Sequence, residues 1–226
     1  MPRRPRIHLD GVPLHIVQRG HNREPCFFAE DDYRSYLHWL GEALAEADCA
    51  LHAYVLMTNH VHLLLTPKKA EAVPRLIISL GRRYVQYVNR SYRRTGTLWD
   101  SRYKSSVVQA ETYLLACQRY IELNPVRAAM VEEPAHYRWT SYRANALGQA
   151  DARIRPHALY RALGQSDRPS GRLSGAVRLA ARSGRHRGHQ AGAQPEPGAR
   201  QRALSCEDRK GDRDKTRGAA ARTAAA

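Results

Sequence analysis

An α+β fold, a ferredoxin-like sandwich with an antiparallel sheet, is predicted for this 226-residue chain by three observations. Two apolar runs, Cys49–Met57 and His60–Thr66, are separated only by Thr58-Asn59, which reads as a tight hairpin. One segment of helical spacing precedes that hairpin and another follows it. A further extended run lies outside each of these segments, and a third helix comes last. The order β-α-β-β-α-β-α contains the split βαβ arrangement.

The elements follow in turn. Pro13–Arg19 reads as the first strand, closed by Gly20-His-Asn-Arg23. Glu30–Ala47 sets Tyr33, Tyr36, Leu37, Leu40 and Leu44 at helical spacing, with acidic residues in the first turn, where the helix dipole favours them. After the hairpin, closed by Pro67-Lys-Lys, a helix over about Val73–Tyr92 gathers Leu76, Ile77, Leu80, Tyr84, Tyr87 and Val88 on one side. Arg82, Arg83, Arg90, Arg93 and Arg94 stand in and after its C-terminal half. Thr95-Gly96-Thr97 turns the chain into a strand over Leu98–Gln109. The third helix, from about Ala110 to Leu123, is stopped by Pro125, which disfavours helical geometry in the residue before it. Such a fold serves many functions, so function has to be argued from side chains.

Composition narrows the partners. The chain has 37 Lys+Arg against 21 Asp+Glu, a formal charge of +16, which points to nucleic acid first and anionic membrane second. No apolar stretch approaches the roughly 20 residues that span a bilayer. Met-Pro-Arg-Arg-Pro-Arg is followed by no apolar segment, so no secretory signal is expected. Cys26, Cys49, Cys117 and Cys206 lack Cys-x-x-Cys spacing and read as free thiols in a reducing cytoplasm. Residues 1–12 form a basic arm and 13–164 the folded domain. Apolar clusters nearly vanish beyond it: residues 166–226 carry 14 Lys+Arg and 6 Asp+Glu among many Gly, Ala, Pro and Ser. The tail 165–226 is therefore expected to be disordered, since it cannot bury enough surface to offset chain entropy.

The chemistry centres on Asn59-His60-Val61-His62. Side chains alternate along a strand, so His60 and His62 share a face, about 7 Å apart along the backbone. Two imidazoles at such positions can converge on one cation, although a pair of satisfied core histidines has the same spacing. Tyr120 and Asn124 are spaced i, i+4 and share a face of the third helix. An amide oxygen beside two imidazoles suits a divalent cation such as Mg²⁺ or Mn²⁺, the nitrogen-rich set favouring Mn²⁺. A tyrosine near such an ion in a basic protein suggests attack on a phosphodiester. The bland readings are a core aromatic for Tyr120 and a helix-end cap for Asn124. Tyr113, seven residues before Tyr120, shares its approximate face.

Asn59-His-Val-His62, Gly96-Thr-Leu-Trp-Asp-Ser-Arg-Tyr-Lys-Ser-Ser106, Arg119-Tyr-Ile-Glu-Leu-Asn-Pro-Val-Arg-Ala128 and Tyr137-Arg-Trp-Thr-Ser-Tyr142 together resemble the single-tyrosine HUH transposases, in the subgroup associated with repetitive extragenic palindromes. The resemblance spans about Pro13 to Gly164. It implies that His60, His62 and Asn124 are metal ligands and that Tyr120 is the nucleophile. It also implies cleavage and rejoining of single-stranded DNA near hairpins through a 5′-phosphotyrosine, by a monomer or homodimer in the bacterial cytoplasm. The tail departs from the resemblance, and a shift of reading frame after about Gly164 is the expected cause. The rival readings are a related replication-initiator or relaxase nickase, and a catalytically silent domesticated protein that binds DNA hairpins. An RNA-binding sheet is disfavoured, because no aromatic pair of that type is evident.

Arg19, Asn22 and Arg23 at the end of the first strand, with Arg82, Arg83, Arg102 and Lys104, are the candidate phosphate contacts; Trp99, with Tyr103, is the candidate for stacking on unpaired bases. Trp99 in the core is the competing reading. His8, His15, His21, His38, His52 and His136 lack ligand spacing and read as structural or exposed. Glu122 is expected to face solvent, with the edge of the site within its reach as the alternative.

Overall fold

A computed structural model describes residues 6–109 and 111–164. The expected basic arm is thus described only from Arg6, and the expected tail and frame shift fall outside the described residues.

Four strands form one antiparallel sheet in the order β2-β3-β1-β4: β1 Leu14–Arg19, β2 Cys49–Met57, β3 His60–Pro67 and β4 Lys104–Val107. This is the predicted ferredoxin-like arrangement. The two helices that link the strands, α1 (Glu30–Ala47) and α2 (Ala72–Ser91), pack on one face. Leu14, Ile16, Leu56, Leu63 and Leu65 from the sheet are buried there against Tyr36, Leu40, Leu76, Leu80 and Tyr84 from the helices. Asp32 starts α1 by accepting the backbone N–H groups of Phe28 and Ala29, at 2.7 and 2.9 Å, which satisfies donors that a helix start leaves unpaired. The other sheet face is covered by α3 (Glu111–Glu122), where Leu114, Cys117 and Ile121 meet Ala53, Val55, Met57 and Leu64.

The fourth strand is shorter than expected. The ladder with β1 is confined to Lys104–Val107. Trp99 bridges Gly20 beyond the end of β1 and Asp100 N–H donates to Arg19 O, but the pairing is interrupted between Asp100 and Lys104, and the Leu98 and Trp99 side chains enter the core. The Trp99 ring lies 6.5 Å from that of Tyr36 and 6.0 Å from that of Tyr84. The third helix does end near Pro125, but a short helix, α4 (Asn124–Arg127), follows at once. Proline is tolerated there because the first helical turn does not use its N–H groups.

Beyond α4 the chain covers the free edge of β2. Leu56 N–H donates to Trp139 O, Ser141 N–H to Tyr54 O and Arg155 N–H to Leu51 O. Helices α5 (Tyr142–Leu147) and α6 (Ala158–Gly164) complete this segment. Cys26, Cys49 and Cys117 are buried and form no disulfide among the described residues. Among the described residues, no helix is long and apolar enough to cross a membrane.

Candidate active site

The register of β1 against β3 sets Val17 opposite His62 and Arg19 opposite His60. Directly paired residues point to the same side of a sheet, as do residues two apart. His15, Arg19, His60 and His62 therefore occupy one face, the face that α3 covers. The hairpin turn before His60 needs a close approach at Gly20, whose N–H donates to Asn59 O at 2.8 Å. A Cβ there would collide with the Glu24 carbonyl oxygen.

The four residues singled out at the centre of the site come together. The His60 and His62 rings are 5.0 Å apart between centroids, and the Tyr120 ring stands edge-on to His62 at 5.8 Å. The buried Asn124 turns its amide nitrogen, Nδ2, toward His62 Nε2 at 3.5 Å. Burial, reinforced by the positive charge of Arg19, pushes His60 down to about 4. Burial also holds His62 well below the ordinary histidine value, with His15, His60 and Arg19 adding to the effect. Both rings are thus neutral near pH 7, the state in which imidazole donates a lone pair.

Hydrogen bonds select which lone pair is offered. His60 Nδ1 is 2.6 Å from Asn59 Oδ1. An amide oxygen only accepts, so Nδ1 carries the proton and Nε2 is the free nitrogen. Asn59 is oriented in turn by donating from Nδ2 to Arg23 O at 2.9 Å. His62 Nδ1 faces His15 Nε2 at 2.8 Å, while its Nε2 points toward Asn124. The fit to a divalent ion rests on His60 Nε2, on His62 Nε2, which accepts from Asn124 Nδ2 in this arrangement, and on the Asn124 amide, whose oxygen faces the site once the amide turns over. Among the described residues, no three His, Cys, Asp or Glu side chains form a metal-holding group.

Sequence reasoning missed two neighbours of the site, His15 and Arg127, and misplaced Glu122. His15 is not a scattered histidine: it is buried, pushed down to about 4 by that burial, and bonded to His62. Its signal lies in strand pairing, which connects residues 47 apart. The Arg127 guanidinium stands 5.1 Å from the Tyr120 ring centroid, brought there by α4. Glu122 corrects the expectation of a solvent-facing side chain, since it is 3 % exposed. Its Oε1 accepts from Ser141 Oγ at 2.8 Å and Asn145 Nδ2 at 2.6 Å. Burial raises its carboxyl to about 7, opposed by those hydrogen bonds and by one from Gln118. The pattern around Glu122 gave no warning, because the α5 segment that buries it is distant in sequence.

The candidate DNA contacts divide. Arg19 lies beside His60, Asn22 and Arg23 sit in the exposed turn after β1, and Arg82, Arg102 and Lys104 are on the surface. Arg83 is committed to Glu42 and Glu46 of α1, so it joins the two helices. Trp99 and Tyr103 are each 7 % exposed, which leaves little ring surface open for base stacking. Tyr103 is covered by Arg6, whose guanidinium carbon is 4.0 Å from the ring centroid.

A sheet face carrying a histidine pair beneath a tyrosine-bearing helix defines a class of site. The chain belongs to the family of IS200-like transposases, whose family model matches residues 9–124. In fold it is similar to a solved REP-associated tyrosine transposase bound to a REP hairpin, with a TM-score of 0.58 and 14 % identity, over 70 % of this chain and 93 % of that one. A crystal structure of a candidate transposase from Deinococcus radiodurans R1 matches with a TM-score of 0.36 and 21 % identity, over 54 % of this chain and 96 % of that one. No curated protein matches the chain.

Proposed function

We propose that this transposase cleaves and rejoins single-stranded DNA near hairpins through a 5′-phosphotyrosine at Tyr120, with His60, His62 and Asn124 holding Mg²⁺ or Mn²⁺. The observation that carries the reading is the meeting of the Tyr120 ring with His62 at 5.8 Å, beside an Asn124 amide 3.5 Å from His62 Nε2. The residues fit the ion because both imidazoles are neutral and each keeps an Nε2 lone pair. A divalent ion held there polarises nonbridging phosphate oxygens.

The phenolic oxygen of Tyr120 attacks phosphorus and forms a P–O bond, while the bond to the 3′-oxygen breaks. The 3′-oxygen leaves as a hydroxyl on taking up a proton, and the phenol gives up its own. No water enters, so the phosphodiester is conserved in the tyrosyl ester, and later attack by a 3′-hydroxyl restores Tyr120. Arg127, above the Tyr120 ring, offsets negative charge as it develops at the phenolic oxygen and the phosphate. Arg19, one strand over from His60, and the surface residues Asn22, Arg23, Arg82, Arg102 and Lys104 are the proposed contacts to the DNA backbone. The solved neighbour bound to a REP hairpin supports hairpin DNA as the partner. Action on chromosomal DNA entails a cytoplasmic, nucleoid-associated protein.

Incubation with labelled hairpin DNA and Mg²⁺ or Mn²⁺ is expected to give a denaturation-resistant protein–DNA adduct that chelator and Tyr120→Phe each abolish. An adduct that persists in the Tyr120→Phe protein overturns the nucleophile assignment.

A further inference from the structure

The motif Tyr137–Tyr142 takes no part in the chemistry above, yet it forms one wall of a cavity of about 500 Å³ at the β2 edge, whose opposite wall is α1. Arg34 of α1 and Arg138, Arg143 and Arg153 of the edge segment line this cavity, with Tyr54 and Trp139. Four guanidinium groups around one concavity of ligand size are a phosphate-binding chemistry, since each presents a planar fork matched to phosphate oxygens.

The state of each arginine supports that use. Arg143 is aimed by its Nε–H, which donates to Ala135 O at 2.9 Å, and no carboxylate pairs with it among the described residues. Arg34 and Arg138 share Glu30, and Arg34 also pairs with Asp31, but every side chain in these bridges is more than half exposed. Ion pairs so exposed contribute little, so phosphate can replace the carboxylate at small cost. Arg153 differs: it is bound at 2.8 Å to the mostly buried Asp151 and also covers Tyr54. It shapes the wall. Trp139 is stacked on Tyr33 at 4.6 Å and has Arg138 over its ring, which leaves charge rather than base stacking as the recognition.

The cavity is tied to the chemistry. Ser141, next to its wall, bonds Glu122 of α3, the helix that carries Tyr120.

We propose that this arginine-lined cavity is a second DNA site, which takes backbone phosphates of the strand that runs on from the active site around the β2 edge. The inference rests on the proposed action on single-stranded DNA. Bound phosphates hold the strand against the same framework that holds Tyr120, and so set which phosphodiester reaches it.

The test is the salt dependence of binding by the full chain to a labelled hairpin oligonucleotide with single-stranded arms, read by fluorescence anisotropy. Arg143→Gln keeps a donor for Ala135 O while removing the charge, and the pair Arg34→Gln and Arg138→Gln removes surface ion pairs and the Arg138 contact over the Trp139 ring. Removal of each guanidinium that neutralises a phosphate is expected to lower the slope of log K against log salt by about 0.7–0.9. The control Arg161→Gln, outside the cavity on α6, is expected to leave the slope unchanged. Wild-type slopes in both cavity variants overturn the second site, as does an equal reduction in the control. Wild-type protein that shows no salt-dependent DNA binding overturns the underlying DNA reading with it. If Arg143→Gln lowers thermal stability, the surface pair alone carries the result.

Discussion

His15 Nε2 meets His62 Nδ1 at 2.8 Å, across the β1–β3 pairing and in a buried position. One nitrogen of His62 is thereby occupied, and the other faces Asn124. The outer partner of a metal-ligating histidine fixes its tautomer and ring orientation, and its removal typically costs about 10–100-fold in affinity. His15→Ala is therefore expected to weaken Mn²⁺ binding by about that factor, with Asn or Gln at position 15 restoring part of it. Isothermal titration of Mn²⁺ into the DNA-free protein reads this directly. Equal affinity in wild type and His15→Ala rejects the orienting role.

Tyr113 and Tyr120 both lie on α3, but they differ in surroundings. Tyr113 is 55 % exposed, whereas Tyr120 is partly buried against His15, His62 and Arg127. Tyr113→Phe is expected to keep covalent adduct formation at about the wild-type level, while Tyr120→Phe reduces it by roughly three or more orders of magnitude, as expected when a nucleophile is removed. Peptide mapping of the trapped adduct checks the assignment, and DNA attached to Tyr113 refutes it.

Glu122 supplies a test of how α3 is held. Its folded-state value of about 7 lies above the ordinary 4.5, so the folded protein binds more protons than the unfolded chain between those limits. The stability that comes from this group is present below about 4.5 and is lost as pH rises through about 7. Glu122→Gln keeps an oxygen for Ser141 and Asn145 and has no charge to bury. Its stability relative to wild type is expected to improve from about pH 4.5 to about pH 7 and to level off above that. Glu122→Ala leaves both donors unpaired and is expected to cost roughly 2–4 kcal/mol. Urea unfolding at several pH values measures both, and a wild-type difference independent of pH would contradict the burial argument.

His52 carries the opposite sign. Burial depresses it from 6.5 to about 4, while its Nδ1–H donates to Arg155 O at 2.7 Å and its Nε2 meets Thr66 Oγ1 at 2.8 Å. The unfolded chain binds the extra proton between those values, so stability is present above about 6.5 and falls as pH drops toward 4. The decrease assigned to this residue is roughly 1–3 kcal/mol. An NMR titration of the His52 ring is expected to show a midpoint below about 5, and a midpoint near 6.5 rejects the prediction.

Much of this protein is local in origin. The α1 boundaries, the two-residue hairpin at Thr58-Asn59 and the shared face of His60 and His62 follow from periods of about 2 and 3.6 residues, whereas Asn124, expected on the Tyr120 face of the third helix, starts the separate helix α4. Those periods are written in neighbouring residues, so the chain alone determined them. Distant segments decided the rest. Strand register turned His15 into the partner of His62, and the edge segment beyond Tyr137 buried Glu122. Core packing around Tyr36 and Tyr84 took up the Trp99 ring that was a candidate for base stacking. Whether a side chain meets water or another side chain depends on packing between residues tens of positions apart, and no local period records it.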